Sequence, residues 1–170
     1  MRPAWVVPIL VAGCERPAAS TDLAAASAAT ASPVPLLGGE ARAHAAGELA
    51  EARDYSMRVE SVRDCPLEPP FSARKGFVKL GIEVTIVGRT ATDVPANPFY
   101  ASARDPAGEA YAPTLAGCEP ALPAAIVTAG KEARGFVTFE VPKAAERLEL
   151  RYAPAIIGGS GEELRFTVAR

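Results

Sequence analysis

The sequence has a single histidine, His44, and it lies outside the part of the chain that reads as a folded domain. A domain without histidine lacks the usual base for a serine or cysteine nucleophile. Cysteine is scarce too: after Cys14 only Cys65 and Cys118 remain, and two cysteines without histidine do not make the four ligands of a zinc site. Neither sign of charge dominates. Lys plus Arg number 18 against 20 Asp plus Glu, a net charge of −2, with no blocks of either sign. The electrostatic footprint of a nucleic-acid binder is therefore missing. Also missing is an apolar run of the ~20 residues that a membrane-spanning helix needs. Gly158 to Glu163, GGSGEE, contains a Gly-Ser-Gly but not the strand-to-helix context of a nucleophile elbow, nor the Gly-Lys-Ser/Thr ending of a phosphate loop. No catalytic residue, metal or cofactor is expected.

What is present begins with Met1-Arg2, one positive charge, followed by the apolar run Ala4 to Ala12 and small residues before Cys14. This is a charged n-region, a short h-region and a processing site. The tetrad Val11-Ala12-Gly13-Cys14 resembles the bacterial lipobox, in which the cysteine sulfur receives a diacylglyceryl group before the signal is cut away. The competing readings are a transmembrane anchor, a plain secretory signal and a buried strand. The run is about half a membrane span, Cys14-Glu15-Arg16-Pro17 ends it abruptly, and a signal cleaved without lipidation places no demand on a cysteine at the cut. Residues 1–13 are thus expected to be a lipoprotein signal and Cys14 the lipidated mature N-terminus. Glu15 is not a decisive sorting signal for one membrane or leaflet.

Residues 14–53 are rich in Ala, Ser, Thr, Pro and Gly, and read as a disordered linker that cannot bury enough surface to offset its ordering entropy. A flexible linker of about 36 residues has a root-mean-square reach of roughly 30 to 36 Å. Gly39 to Arg53 favours at most a frayed, solvated helix, because Leu49 is its only large apolar anchor, and His44 within it reads as a solvated side chain.

Residues 54–170 are of normal size for one domain and alternate with period two. Tyr55, Met57 and Val59 share a face, as do Val78, Leu80, Ile82, Val84 and Ile86 in the longest strand, with Lys79, Glu83 and Thr85 facing water. Phe99, Ala101 and Ala103 alternate into the turn Asp105-Pro106-Ala107-Gly108, and Tyr111 lies on the return. Val137, Phe139 and Val141, then Leu148, Leu150 and Tyr152, then Leu164, Phe166 and Val168 complete the pattern. Phe77, Phe99, Phe136, Phe139 and Phe166 read as core. Pro142 to Glu146 is the one place for a single helical turn. Short strands, Pro- and Gly-rich turns and no sustained 3.6-residue apolar period predict an antiparallel β-sandwich of about seven strands. Gly135 within a strand calls for a close neighbouring backbone or a bulge.

KGFVKLGIEVTIV, VPANPFYASARDPAGEAY and AGKEARGFVTFEVPKAAERLELRYAP occur in the order and spacing of a known group. They resemble a secreted bacterial domain of unknown function with a telokin-like, immunoglobulin-type sandwich, the group that includes immunoprotective extracellular antigens. The similarity runs from Tyr55 to Val168 and is most specific at Gly130, Gly135, Phe139 to Lys143, Leu148, Leu150 and Tyr152. Gly88 departs from it, where members usually carry asparagine. The resemblance implies an envelope or secreted immunoglobulin-like protein, often lipid-anchored, and supplies no catalytic or ligand residues.

Export would carry Cys65 and Cys118, both in Pro-rich segments, into an oxidising compartment where a pair is expected to bond. Two buried free thiols are the alternative. The functional expectation is a non-catalytic, membrane-tethered module for protein binding or adhesion in the cell envelope. The alternative is a carrier or sensor with a small ligand between its sheets. Nothing in the sequence sets the oligomeric state.

Overall fold

The computed structural model describes residues 42–170. The expected signal at 1–13, the lipidation residue Cys14 and the linker up to residue 41 lie outside the described residues.

The described residues form eleven strands: β1 (Ala43–Ala45), β2 (Leu49–Glu51), β3 (Tyr55–Asp64), β4 (Phe77–Gly88), β5 (Val94–Ala96), β6 (Ala101–Arg104), β7 (Ala110–Tyr111), β8 (Ala125–Val127), β9 (Glu132–Pro142), β10 (Arg147–Tyr152) and β11 (Leu164–Ala169). They form a five-stranded sheet in the order β1-β11-β10-β6-β7, a four-stranded sheet β2-β3-β4-β9, and the ribbon β5-β8. The expected seven are β3, β4, β6, β7, β9, β10 and β11; β1, β2, β5 and β8 are short additions at the margins. All pairings are antiparallel except β1 with β11. The all-β antiparallel sandwich predicted from period two is the observed fold.

Burial follows the predicted register. Val78, Leu80, Ile82, Val84 and Ile86 face inward, and Tyr55, Met57, Val59, Val137, Phe139, Val141, Leu148, Leu150, Tyr152, Leu164, Phe166 and Val168 join them in one continuous core. A bulge between Val59 and Ser61 leaves Glu60 out of register and exposed. The turn Asp105 to Gly108 closes β6 onto β7 as expected, with Asp105 Oδ1 accepting the Glu109 N–H at 2.9 Å and Gly108 at φ +90°.

Three expectations are corrected. First, the expected boundary at residue 54 is too late, because β1 and β2 lie inside the segment assigned to the linker. The side chains that seat this segment are Ala50 and Ala52, fully or almost fully buried, while Leu49 is exposed. Small buried side chains give little period-two contrast. His44 is not solvated either: its ring lies 5.7 Å from that of Phe166, and Nδ1 is 3.0 Å from Glu48 Oε1. Second, Phe99 is not core. Pro98–Tyr100 is a 3₁₀ turn capped by Asn97, whose Oδ1 accepts the Phe99 N–H at 2.9 Å, and it turns Phe99 out to 57% exposure. Third, Pro142 to Ala145 is a hydrogen-bonded turn rather than a helical one, with Ala145 N–H donating to the Pro142 carbonyl at 3.0 Å.

Candidate functional site

β9 is the edge of its sheet, and residues 113–122 run along it without forming a regular strand. Thr114 N–H donates to the Thr138 carbonyl at 2.7 Å, Leu122 N–H to the Phe136 carbonyl at 2.9 Å, and Phe136 N–H to the Pro120 carbonyl at 2.9 Å. Edge groups that would otherwise be open are thereby paired. The close approach needs Gly135: a Cβ there would stand 2.6 Å from the Ala121 carbonyl carbon and oxygen. That is the neighbouring backbone its place in a strand called for.

The same segment arches onto the outer face of the four-stranded sheet, where Cys118 is joined to Cys65 with their Cα atoms 5.1 Å apart. Cys118 N–H donates to Thr138 Oγ1 at 3.0 Å, and Cys65 N–H donates to the Lys79 carbonyl at 2.8 Å. The sulfurs lie over Gly81, where a Cβ would come within 2.6 Å of Cys118 Sγ and 2.8 Å of Cys65 Sγ. Phe136 completes this small buried cluster, with the Arg63 guanidinium 4.3 Å above its ring and donating to the Glu119 carbonyl at 2.9 Å. The outer side of β4, predicted to be wet, is therefore covered at Gly81. Glu83 beside it is engaged, accepting from Ser61 Oγ at 2.8 Å and Arg134 Nε at 2.9 Å. With both sulfurs bonded and nearly buried, the cluster offers no thiolate for chemistry.

A second constellation closes one end of the sandwich. Tyr55 from the four-stranded sheet meets Tyr152 from the five-stranded sheet edge-on, with ring centroids 6.0 Å apart. The Tyr55 hydroxyl donates to the Glu162 carbonyl at 2.6 Å, and the Tyr152 hydroxyl donates to the Pro95 carbonyl and accepts the Asn97 N–H, each at 3.2 Å. Burial pushes both phenols up, Tyr152 to about 12. They are structural hydrogen bonders at any physiological pH. Beside them Asp54, only 3% exposed, accepts the Ser160 N–H at 3.0 Å and the Ser160 hydroxyl at 3.3 Å on Oδ2, and the Thr90 hydroxyl at 3.0 Å on Oδ1. The Ser160 N–H is the main reason its carboxyl lies below the usual aspartate range. The Gly-Ser-Gly stretch is thus a loop pinned by a carboxylate. No sequence pattern joins Asp54 to Ser160, 106 residues away.

Several carboxylates on the sheets and turns are paired: Glu140 with Lys79 and Arg74, Glu149 with Arg151, and Glu163 with Arg165. Among the described residues no group of three or more His, Cys, Asp or Glu is placed to hold a metal ion. No helix among them is long and apolar enough to cross a membrane. Of the exposed large apolar side chains, Phe99 before β6, Ile126 opposite Pro95 and Ile157 on the β10–β11 loop lie on segments next to the tyrosine pair, and Leu49, Phe71 and Leu115 are exposed as well. Ala43 pairs with Arg165 near the start of β11.

No family model matches the chain, and no curated protein matches it in sequence. Solved structures of bacterial β-sandwich proteins do. ycdA of Bacillus subtilis, described as a candidate lipoprotein, superposes with a TM-score of 0.62 at 15% identity, covering 71% of this chain and 38% of its own. This chain therefore spans well under half the length of that protein. yjhA of Bacillus subtilis gives 0.55 at 17% identity, covering 74% of this chain and 98% of its own. MPT63, a secreted protein of Mycobacterium tuberculosis, gives 0.56 at 13% identity over 76% and 98%. At these identities the likeness is one of fold. It defines the class, a β-sandwich.

Proposed function

We propose that this chain is an extracytoplasmic, lipid-anchored module without catalytic activity, whose sandwich engages a protein partner in the cell envelope. The observation that carries this reading is the filled interior. Tyr55, Met57, Ile82, Phe139, Leu150, Tyr152 and Phe166 are fully buried between the sheets, which leaves binding to the outer surface. The alternative, a small ligand held between the sheets, requires a chamber in the space those side chains occupy.

Export is supported by three independent features. The Val11-Ala12-Gly13-Cys14 tetrad resembles a lipobox. A Cys65–Cys118 disulfide is at home in an oxidising compartment. Two proteins of like fold are described as a candidate lipoprotein and as secreted. The finer resemblance, to the telokin-like group that includes immunoprotective extracellular antigens, agrees with all three. An acyl group on Cys14 would tether the domain to the membrane through the segment that precedes residue 42.

The test is affinity capture from an envelope extract with the full chain, acyl-free through Cys14→Ser, followed by cross-linking on the bead. A saturable, stoichiometric protein partner is expected. Recovery of a small molecule that co-purifies with the folded chain and no protein partner would favour the carrier reading instead.

A further inference from the structure

The outer face of the five-stranded sheet carries a cluster of arginines, two of which no structural role absorbs. Arg147, Glu149 and Arg151 alternate along β10 and so share one face, while the inward positions are Leu148, Leu150 and Tyr152. Arg104, the last residue of β6, sits directly opposite Glu149 in the register. Arg147 and Arg151 are then its two diagonal neighbours, each about 7 to 8 Å away. Thr167 on β11 lies opposite Glu149 from the other side. These residues line a shallow cavity of about 300 Å³, rimmed by Asp105 and Pro106 of the β6–β7 turn.

The charges in this cavity do not cancel. Glu149 accepts from Arg151 Nε at 2.5 Å and is committed to it. Asp105 is committed as well: it accepts from the Tyr111 hydroxyl at 2.8 Å and from the Glu109 N–H, and the Tyr111 hydroxyl is the main reason its carboxyl is held below the usual range. Among the described residues, neither the Arg104 nor the Arg147 guanidinium has a hydrogen bond or an ion pair, and both side chains are exposed. Two arginines within reach of each other repel in the free protein, and that cost is relieved by an anionic occupant.

We propose that this face binds an extended acidic segment of a protein partner, with carboxylates at alternate positions addressing Arg104 and Arg147. The proposal rests on the binding-module reading above and names the chemistry of its site. Three observations select the occupant. An extended strand repeats on one face every ~6.8 Å, close to the ~7 to 8 Å between the two arginines. Each guanidinium offers a fork that fits one carboxylate in bidentate fashion. Glu149 lies between Arg147 and Arg151 and opposite Arg104, so a compact dianion settling at the centre meets its charge, whereas carboxylates spread along a chain pass on either side.

The experiment uses the full chain carrying Cys14→Ser and a fluorescent peptide of alternating Glu and Thr, with an alternating Lys and Thr peptide and inorganic phosphate as controls. Anisotropy should report saturable binding of the Glu-Thr peptide that weakens with salt. Arg104→Glu with Arg147→Glu should weaken it by at least about tenfold. Glu149→Gln should tighten it. Circular dichroism and the disulfide should be unchanged in each variant, because neither arginine supports the fold. Absence of binding, equal affinity for the Lys-Thr peptide, indifference to the double reversal, or displacement by phosphate as readily as by unlabelled peptide would each overturn the proposal. Capture of the same envelope partner by the wild type and by the double reversal would discard the arginine site and leave the binding-module reading standing. Failure of the wild type to capture any partner would discard both.

Discussion

A Cβ on Gly81 would stand 2.6 Å from the Sγ of Cys118. The glycine in the middle of the longest strand is the bed on which the disulfide lies, so a backbone position in β4 and a covalent bond between two loops are one structural unit.

Gly81→Ala should accordingly destabilise the domain by about 1 to 3 kcal/mol, the range for forcing extra volume into a packed site. Removal of the disulfide by Cys65→Ala with Cys118→Ala should cost on the order of 4 kcal/mol from its 53-residue loop and leave the sandwich folded. Combined, the changes should cost less than their sum, because the methyl group then meets a segment free to move. Urea unfolding of the four proteins gives the coupling. Strict additivity would separate Gly81 from the disulfide.

The neighbouring pair Ile82 and Glu83 tests the register of β4. Ile82 has no solvent exposure, and Ile82→Ala should cost about 2 to 5 kcal/mol. Glu83 faces outward but is bound by Arg134 and Ser61, so Glu83→Ala should cost about 0.5 to 1 kcal/mol rather than nothing. Arg134→Ala should recover most of that smaller loss by itself. Chemical denaturation separates the cases, and equal losses at Ile82 and Glu83 would mean that the faces are assigned wrongly.

What the sequence made legible depended on side-chain size. Val78 to Ile86 and Leu148 to Tyr152 alternate between large apolar and polar residues, so strand, face and register could all be read from them. β1 and β2 escaped because Ala50 and Ala52 bury without contrast, and Leu49, the one large residue, points out. Phe99 misled for the opposite reason, since an aromatic two places before a strand keeps its period while the capped turn at Asn97 breaks it. The pairing of Cys65 with Cys118 followed from counting cysteines. Their bed at Gly81, the cover along β9 and the pinning of Ser160 by Asp54 join residues far apart in sequence, and no local pattern carries them. Arg104 and Arg147 passed unremarked among 18 basic residues, because only the register sets Arg104 opposite Glu149.

Acid should loosen the tyrosine end. Asp54 lies below its ordinary value of 3.8, chiefly through the Ser160 N–H, and Glu83 lies below 4.5 through Arg134. A carboxyl depressed in the folded state is protonated first in the unfolded chain. Its contribution is complete above the ordinary value and is lost as pH falls through that value toward the folded one. The thermal midpoint should hold from neutrality down to about pH 5 and then decline. Asp54→Asn should lower the midpoint at neutral pH, because one oxygen becomes a donor facing Ser160 or Thr90. The gap to the wild type should narrow in acid. Limited proteolysis should show earlier cleavage within 154–162 in the variant. A constant gap across the acid range would remove Asp54 from the account.

The central claim is that this sandwich is exported, stapled and tethered, and intact mass spectrometry of the protein recovered from its own membrane fraction tests it most directly. The account predicts a polypeptide that begins at Cys14, carries the added mass of a diacylglyceryl group on that sulfur, and is two hydrogens lighter through the Cys65–Cys118 bond. Cys14→Ala should yield an unprocessed precursor or move the protein out of the lipid fraction. A chain beginning at Met1 in the soluble fraction, with Cys65 and Cys118 both free to alkylate, would contradict it.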